Sequence, residues 1–178
     1  MKSTILTLCL LSLFISSFAQ EPSQFGNGPV YDIAFSNHGK VIFVAEENSI
    51  NAYETRSNNL LSIYKEQHKT RILSLDLSQD SSLLVSGDKS GLLVIWNTKT
   101  KKPLNKLKLH KEAITTIKVS SDNRYLITGG ADNKIIHYDI NNNKVVNEFN
   151  YEEDITSLDI HPNGNLVAAS CGSSNIEI

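Results

Sequence analysis

Two histidines, His68 and His110, and a cysteine, Cys171, are the side chains of this 178-residue chain best suited to chemistry. Paired imidazoles ligate transition metals or pass protons, and a thiolate assisted by His161 would be a nucleophile. Position argues against both uses. The two histidines stand 42 residues apart in surroundings that also recur, so each belongs to a different structural unit in the same role. Cys171 follows Ala168-Ala169-Ser170 at the end of a strand-like apolar stretch, which reads as packing. Lys89-Ser90-Gly91 carries the last residues of a phosphate loop, but no Gly-x-x-x-x-Gly precedes it and it falls in a turn between strands. The residues therefore point to a non-enzymatic chain with no cofactor and no metal site.

The elements that hold these residues recur with them. His68, Ser86 and Trp96 return as His110, Thr128 and Tyr138, each 42 positions on. An earlier copy carries Ile33-Ala34-Phe35-Ser36 and Ala52-Tyr53-Glu54, and a later one carries Leu158-Asp159-Ile160 followed by His161-Pro162-Asn163-Gly164. Within a unit, segments such as Ile72–Leu77, Leu83–Ser86 and Leu92–Trp96 are about five residues long and rich in Ile, Val, Leu, Thr and Tyr, with turn clusters at 79–82 and 88–91 between them. No stretch after residue 19 keeps a helical apolar period for three turns, so the units are strands, four to each.

This pattern of His, turn, Ser-Gly and terminal Trp-Asn or Tyr-Asp resembles the WD repeat, from about Gly26 to the end of the chain. The resemblance implies an all-β propeller whose four-stranded antiparallel blades pack radially. It predicts blades at about 26–66, 67–108 and 109–150 and an incomplete fourth at 151–178, an open, partial propeller. It also implies a structural network in each blade: His110, Thr128, Asp132 and Tyr138 in the third, and His68, Ser86 and Trp96 in the second, where Ser90 takes the place expected of Asp and leaves the network weakened or rewired. In the first unit Gly26 replaces His and Glu47 approximates the Asp; in the fourth, Tyr151 and Ala169 replace the His and the hydroxyl, so those blades are expected to rely on apolar packing.

Residues 1–19 differ from all this. Lys2, an apolar run from Ile5 to Phe18 and the small Ser17 and Ala19 read as a secretory signal peptide cut after Ala19. The run is about fourteen residues, short of the roughly twenty that cross a bilayer, and Leu6-Thr7-Leu8 before Cys9 is no lipidation box. The mature chain would keep only Cys171, without an intramolecular disulfide, in the periplasm or outside the cell. With 17 basic and 19 acidic residues, no nucleic-acid partner is expected. A tract of lysines, Lys99, Lys101, Lys102, Lys106 and Lys108, falls at and along an outermost strand, where it blunts a sheet edge. Contact with an anionic surface such as lipopolysaccharide or acidic glycan is its functional alternative.

Alignment of the fourth unit places Ile178 at the position of Ile95, so the chain is expected to be a piece or truncated form whose apolar blade faces seek the missing blades or a second copy. Its function is expected to be protein or peptide binding outside the cytoplasm. The alternative is an N-terminal sensory or regulatory part of a larger exported protein with a downstream effector such as a peptidase domain. In this family the loops at one narrow end make the contacts, which here are Tyr31, Arg71, Leu73, Lys89, Glu112, Thr115, Asp154 and Thr156. The starts of the innermost strands offer only Arg71, Glu112 and Asp154 as charged groups, too scattered for a catalytic centre.

Overall fold

A computed structural model describes residues 28–172 and the backbone of 175–177; the signal-like segment, Cys9 and Gly26 lie outside the described residues. Every element described is a β-strand. The first sheet joins β1 (Val30–Phe35), β2 (Val41–Glu46), β3 (Ser49–Glu54) and β4 (Leu60–Tyr64) in chain order, each strand antiparallel to the last. The second repeats this with β5 (Ile72–Leu77), β6 (Leu83–Asp88), β7 (Leu92–Asn97) and β8 (Lys102–Lys108), and the third with β9 (Ile114–Val119), β10 (Tyr125–Gly130), β11 (Lys134–Asp139) and β12 (Lys144–Asn150). The fourth has three strands, β13 (Ile155–Ile160), β14 (Val167–Cys171) and β15 (Asn175–Glu177). These are propeller blades, three of four strands and one of three, and the arc they form is not closed.

The first turn of each blade shows how the repeat is written into the backbone. Gly39, Ser81, Asn123 and Gly164 all adopt a left-handed φ, at 63°, 58°, 60° and 75°. Each donates its N–H to the carbonyl three residues earlier, that of Ser36, Ser78, Ser120 or His161. Only Gly takes this conformation freely, with Asn the next most tolerant, so Ser81 holds the turn under mild strain. Its side chain compensates by accepting the backbone N–H of Asn37 in the preceding blade at 2.8 Å. Asn123 does the same for Gln79 at 2.7 Å.

The core lies between sheets. Phe43, Ala45, Ile50, Ala52 and Tyr64 of the first blade meet Ile72, Leu75, Leu84, Val94 and Trp96 of the second. Val85, Leu93 and Ile95 meet Ile114, Ile117, Leu126 and Tyr138 across the next junction, and Ile127 and Ile135 meet Ile155, Leu158, Ala169 and Cys171 across the last. Cys171 is buried within that last cluster. Two glycines at equivalent places let the blades close: a Cβ on Gly87 would stand 2.6 Å from Ile114 Cγ2, and one on Gly129 would stand 2.4 Å from Ile155 Cγ2.

Candidate functional site

Within the second blade a fully buried chain of hydrogen bonds runs from Trp96 to Asp88. The indole Nε1–H of Trp96 donates to Ser86 Oγ at 2.8 Å, the Ser86 hydroxyl donates to His68 Nε2 at 2.7 Å, and His68 Nδ1–H donates to Asp88 Oδ2 at 2.8 Å. One tautomer of His68 satisfies both its neighbours. Asp88 Oδ1 accepts from Ser90 N–H, Ser90 Oγ and Leu92 N–H at 2.8, 2.7 and 3.1 Å. Burial alone would raise the Asp88 carboxyl, but the bonds from His68, Ser90 and Leu92 outweigh it and hold the group at about 2. Of the two outcomes expected here, a weakened network or a rewired one, the structure shows the second: Ser90 stands where Asp stands in the next blade, and Asp88, two residues earlier, supplies the carboxylate.

In the third blade His110 Nδ1–H donates to Asp132 Oδ1 at 2.7 Å and His110 Nε2 accepts from Thr128 at 2.8 Å. Burial would raise Asp132 as well, yet the bonds from His110 and the Lys111 N–H keep it lowered. Tyr138 corrects the remaining expectation. Its hydroxyl donates to Asn143 Oδ1, and Thr128 receives no aromatic donor from it. A phenol carries its O–H at the ring tip, beyond the reach of a hydroxyl beside the ring, where the Nε1–H of an indole projects sideways. In the first blade Glu47 joins no such network, and its carboxylate faces outward. In the fourth, Ala169 is buried among apolar neighbours and Tyr151 packs beside them.

These networks are interior. The candidates for partner contact gather elsewhere, at one end of the innermost strands β1, β5, β9 and β13. Tyr31, Leu73, Thr115 and Thr156 occupy equivalent positions near the starts of these strands and line one polar trough of about 530 Å³. Arg71, Lys89, Glu112 and Asp154 lie on the loops above it and are exposed. Those loops are bonded in pairs, Lys89 N–H to Arg71 O at 2.8 Å and Gly172 N–H to Asp154 O at 2.9 Å, so the rim is a fixed frame.

Three side chains on this rim touch. Tyr31 donates its hydroxyl to Glu47 Oε1 at 3.0 Å, Arg71 Nε lies 3.7 Å from Glu47 Oε2, and the Arg71 guanidinium sits over the Tyr31 ring, 4.5 Å from its centroid. Burial, followed by the bond to Glu47, raises the Tyr31 phenol. Tyr31 and Arg71 are candidates from the sequence, whereas Glu47 is there only an approximate equivalent of the turn Asp; in the structure it takes a left-handed φ of 45° in its turn and is exposed. Thr115 is less available than its position suggested, because its hydroxyl meets the carbonyls of Gly129 and, in the next blade, Ile155. Thr156 likewise bonds Ser170.

Deeper in the trough two carboxylates bridge blades. Asp32 Oδ2 accepts the Leu75 N–H and Asp76 Oδ2 accepts the Val119 N–H, each at 2.7 Å and each from the next blade. Burial pushes the Asp76 carboxyl up, more than the Val119 and Leu77 N–H groups and nearby Lys118 pull it down. Sequence reading missed both bridges, since an Asp in a strand reads as a solvent-facing position. Among the described residues no three His, Cys, Asp or Glu side chains are grouped to hold a metal ion, and no helix is long and apolar enough to cross a membrane.

Comparison with known proteins agrees with this architecture. A stretch of 75 residues is 36% identical to the guanine nucleotide-binding protein subunit beta of Arabidopsis thaliana, covering 39% of this chain and 20% of that protein. The solved structure of U3-55K superposes with a TM-score of 0.76 at 19% identity, over 84% of this chain and 47% of that one, which shows a shared fold. The chain thus spans less than half the length of either. The family model of the NUP159/214 beta propeller matches residues 18–173. The chain belongs to that NUP159/214 β-propeller family, and its fold is a propeller of the WD-repeat type.

Proposed function

We propose that this protein is a non-catalytic scaffold that works outside the cytoplasm and binds a protein or peptide across the loop-rich end of its propeller arc. Propellers of this type commonly serve as interaction scaffolds, and the segment before the first blade has the layout of a signal peptide. The observation that carries the reading is the rim cluster of half-buried Tyr31 with exposed Glu47 and Arg71. It takes no part in the buried networks, it stands on loops pinned by backbone bonds, and it borders an open polar trough. An aromatic ring stacked with a guanidinium is the kind of rigid, partly apolar anchor that dominates binding interfaces.

A photo-crosslinking amino acid placed at Lys89 or Glu112 in the producing cell tests it. A discrete crosslinked partner at these positions, absent when the same group replaces Thr100 at the opposite end and lost on Arg71→Glu, is the expected result. Equal labelling from both ends would overturn the choice of face. Export is tested separately by the N-terminus of protein recovered outside the cytoplasm, expected at Gln20.

A further inference from the structure

The outermost strands of the first two blades combine features that edge protection does not require. On β4, Leu60 and Leu61 are 49% and 47% exposed and Ile63 is also exposed, so three of its five residues show large apolar side chains to solvent. On β8, Lys102, Lys106 and Lys108 are exposed beside Leu104, which is 58% exposed. Lys99 and Lys101 precede them in the turn, and the Lys101 ammonium reaches the carbonyl oxygen of Leu61 at 3.4 Å, joining the apolar strand of one blade to the basic strand of the next. No acidic residue occurs between Lys89 and Glu112 to balance the five charges.

Blunting a sheet edge explains one or two lysines, not this set. The equivalent strand β12 also exposes Val145, Val146 and Phe149, but it carries only Lys144 and its Glu148 already pairs with Lys134, so it lacks the unbalanced positive charge of β8. Nor does edge protection explain leucines facing water on the neighbouring strand, since exposed apolar side chains invite association. A surface that places cations at headgroup level and lets short apolar side chains enter the acyl boundary suits both at once. We infer that the outer rim of the first two blades docks on an anionic lipid surface, lysines against phosphate headgroups and Leu60, Leu61 and Leu104 in the interface. This site is separate from the loop-rich end where the protein partner is placed.

The test is co-sedimentation of the full chain with vesicles of phosphatidylcholine alone or with 30 mol% phosphatidylglycerol. The apolar run Ile5–Phe18 is common to all variants, and its contribution is read from the phosphatidylcholine vesicles. Binding to the anionic vesicles is expected to exceed that to neutral ones at least ten-fold. It should fall about ten-fold for Lys102→Glu/Lys106→Glu/Lys108→Glu, in keeping with counter-charge attraction, and at least three-fold for Leu60→Ser/Leu61→Ser. Arg71→Glu/Lys89→Glu should leave it unchanged. All three variants alter exposed residues, and an unchanged circular dichroism spectrum verifies that each is folded. Indifference to lipid charge overturns the proposal. So does an unaltered Leu60→Ser/Leu61→Ser variant combined with full competition by dextran sulfate, which would assign the lysines to a soluble polyanion such as an acidic glycan.

Discussion

Asp88 and Gly130 occupy the same point of successive repeats, and one is a buried carboxylate where the other is the space a carboxylate enters. A Cβ on Gly130 would lie 2.4 Å from His110 Nδ1 and 2.7 Å from Asp132 Oδ1. The histidine of each blade therefore finds its carboxylate by one of two routes, directly from the strand end or from two residues further along the turn.

Exchange of the two routes is testable. Gly130→Ala is expected to destabilise the fold by about 1–3 kcal/mol through overpacking. Gly130→Asp/Asp132→Ser, which copies the second blade into the third, should be more stable than Gly130→Asp alone. Urea denaturation of the three variants measures both effects, and equal midpoints for the single and double variants would refute the exchange.

Acid should separate two buried carboxylates by sign. Asp88, held at about 2, lies below its unfolded value, so its contribution of about 2 kcal/mol is complete above roughly pH 5 and lost as pH falls toward 2. Asp88→Asn should remove that much at pH 7 and flatten the acid limb of the stability curve.

Asp76 behaves in the opposite way. Its folded value is raised, so ionisation on raising the pH through that value opposes folding, and the group favours the folded state most at low pH. An amide keeps an oxygen for the Val119 N–H without the buried charge. Asp76→Asn is therefore expected to be neutral or stabilising at pH 7, in contrast to Asp88→Asn, as denaturant midpoints would show.

Trp96 is the single tryptophan and is 1% exposed, packed edge-on to Tyr64 at 5.6 Å between ring centroids. Its fluorescence reports the junction of the first two blades. Trp96→Phe removes the donor to Ser86 and part of the buried ring, and should cost about 2–3 kcal/mol.

Gly87→Ala should force the second and third blades apart, since the new methyl would meet Ile114 at 2.6 Å. A loss of about 1–3 kcal/mol with little change in Trp96 emission is expected, because that ring lies at the other junction.

The repeat was legible in the sequence because alternation and turn residues recur at a fixed interval, and the blades follow from it. The carboxylate of the second network was not. Periodicity gives the register of Ser90 with Asp132, but not that a side chain two positions earlier reaches the same imidazole; the signal available was Asp88 aligned with Gly130. Tyr138 is the equivalent of Trp96 by its place 42 residues on, and the different placement of its polar atom sends it to Asn143 instead. Tyr31 and Arg71 were legible as rim residues from their place before the innermost strands. Their meeting through Glu47 depends on a turn conformation that pattern alone does not specify.

Among the described residues the four sheets exchange no ladder of backbone bonds. They are joined by side-chain packing and by a few single bonds, such as those of Asp32 to Leu75, Asp76 to Val119 and Thr115 to Ile155. Mechanically the molecule is a hand of stiff cards pinned to one another at a few scattered points. Pulled or warmed, it should part along the planes between cards while each card stays whole, and a small fanning at every plane would add up to a large change in the width of the trough.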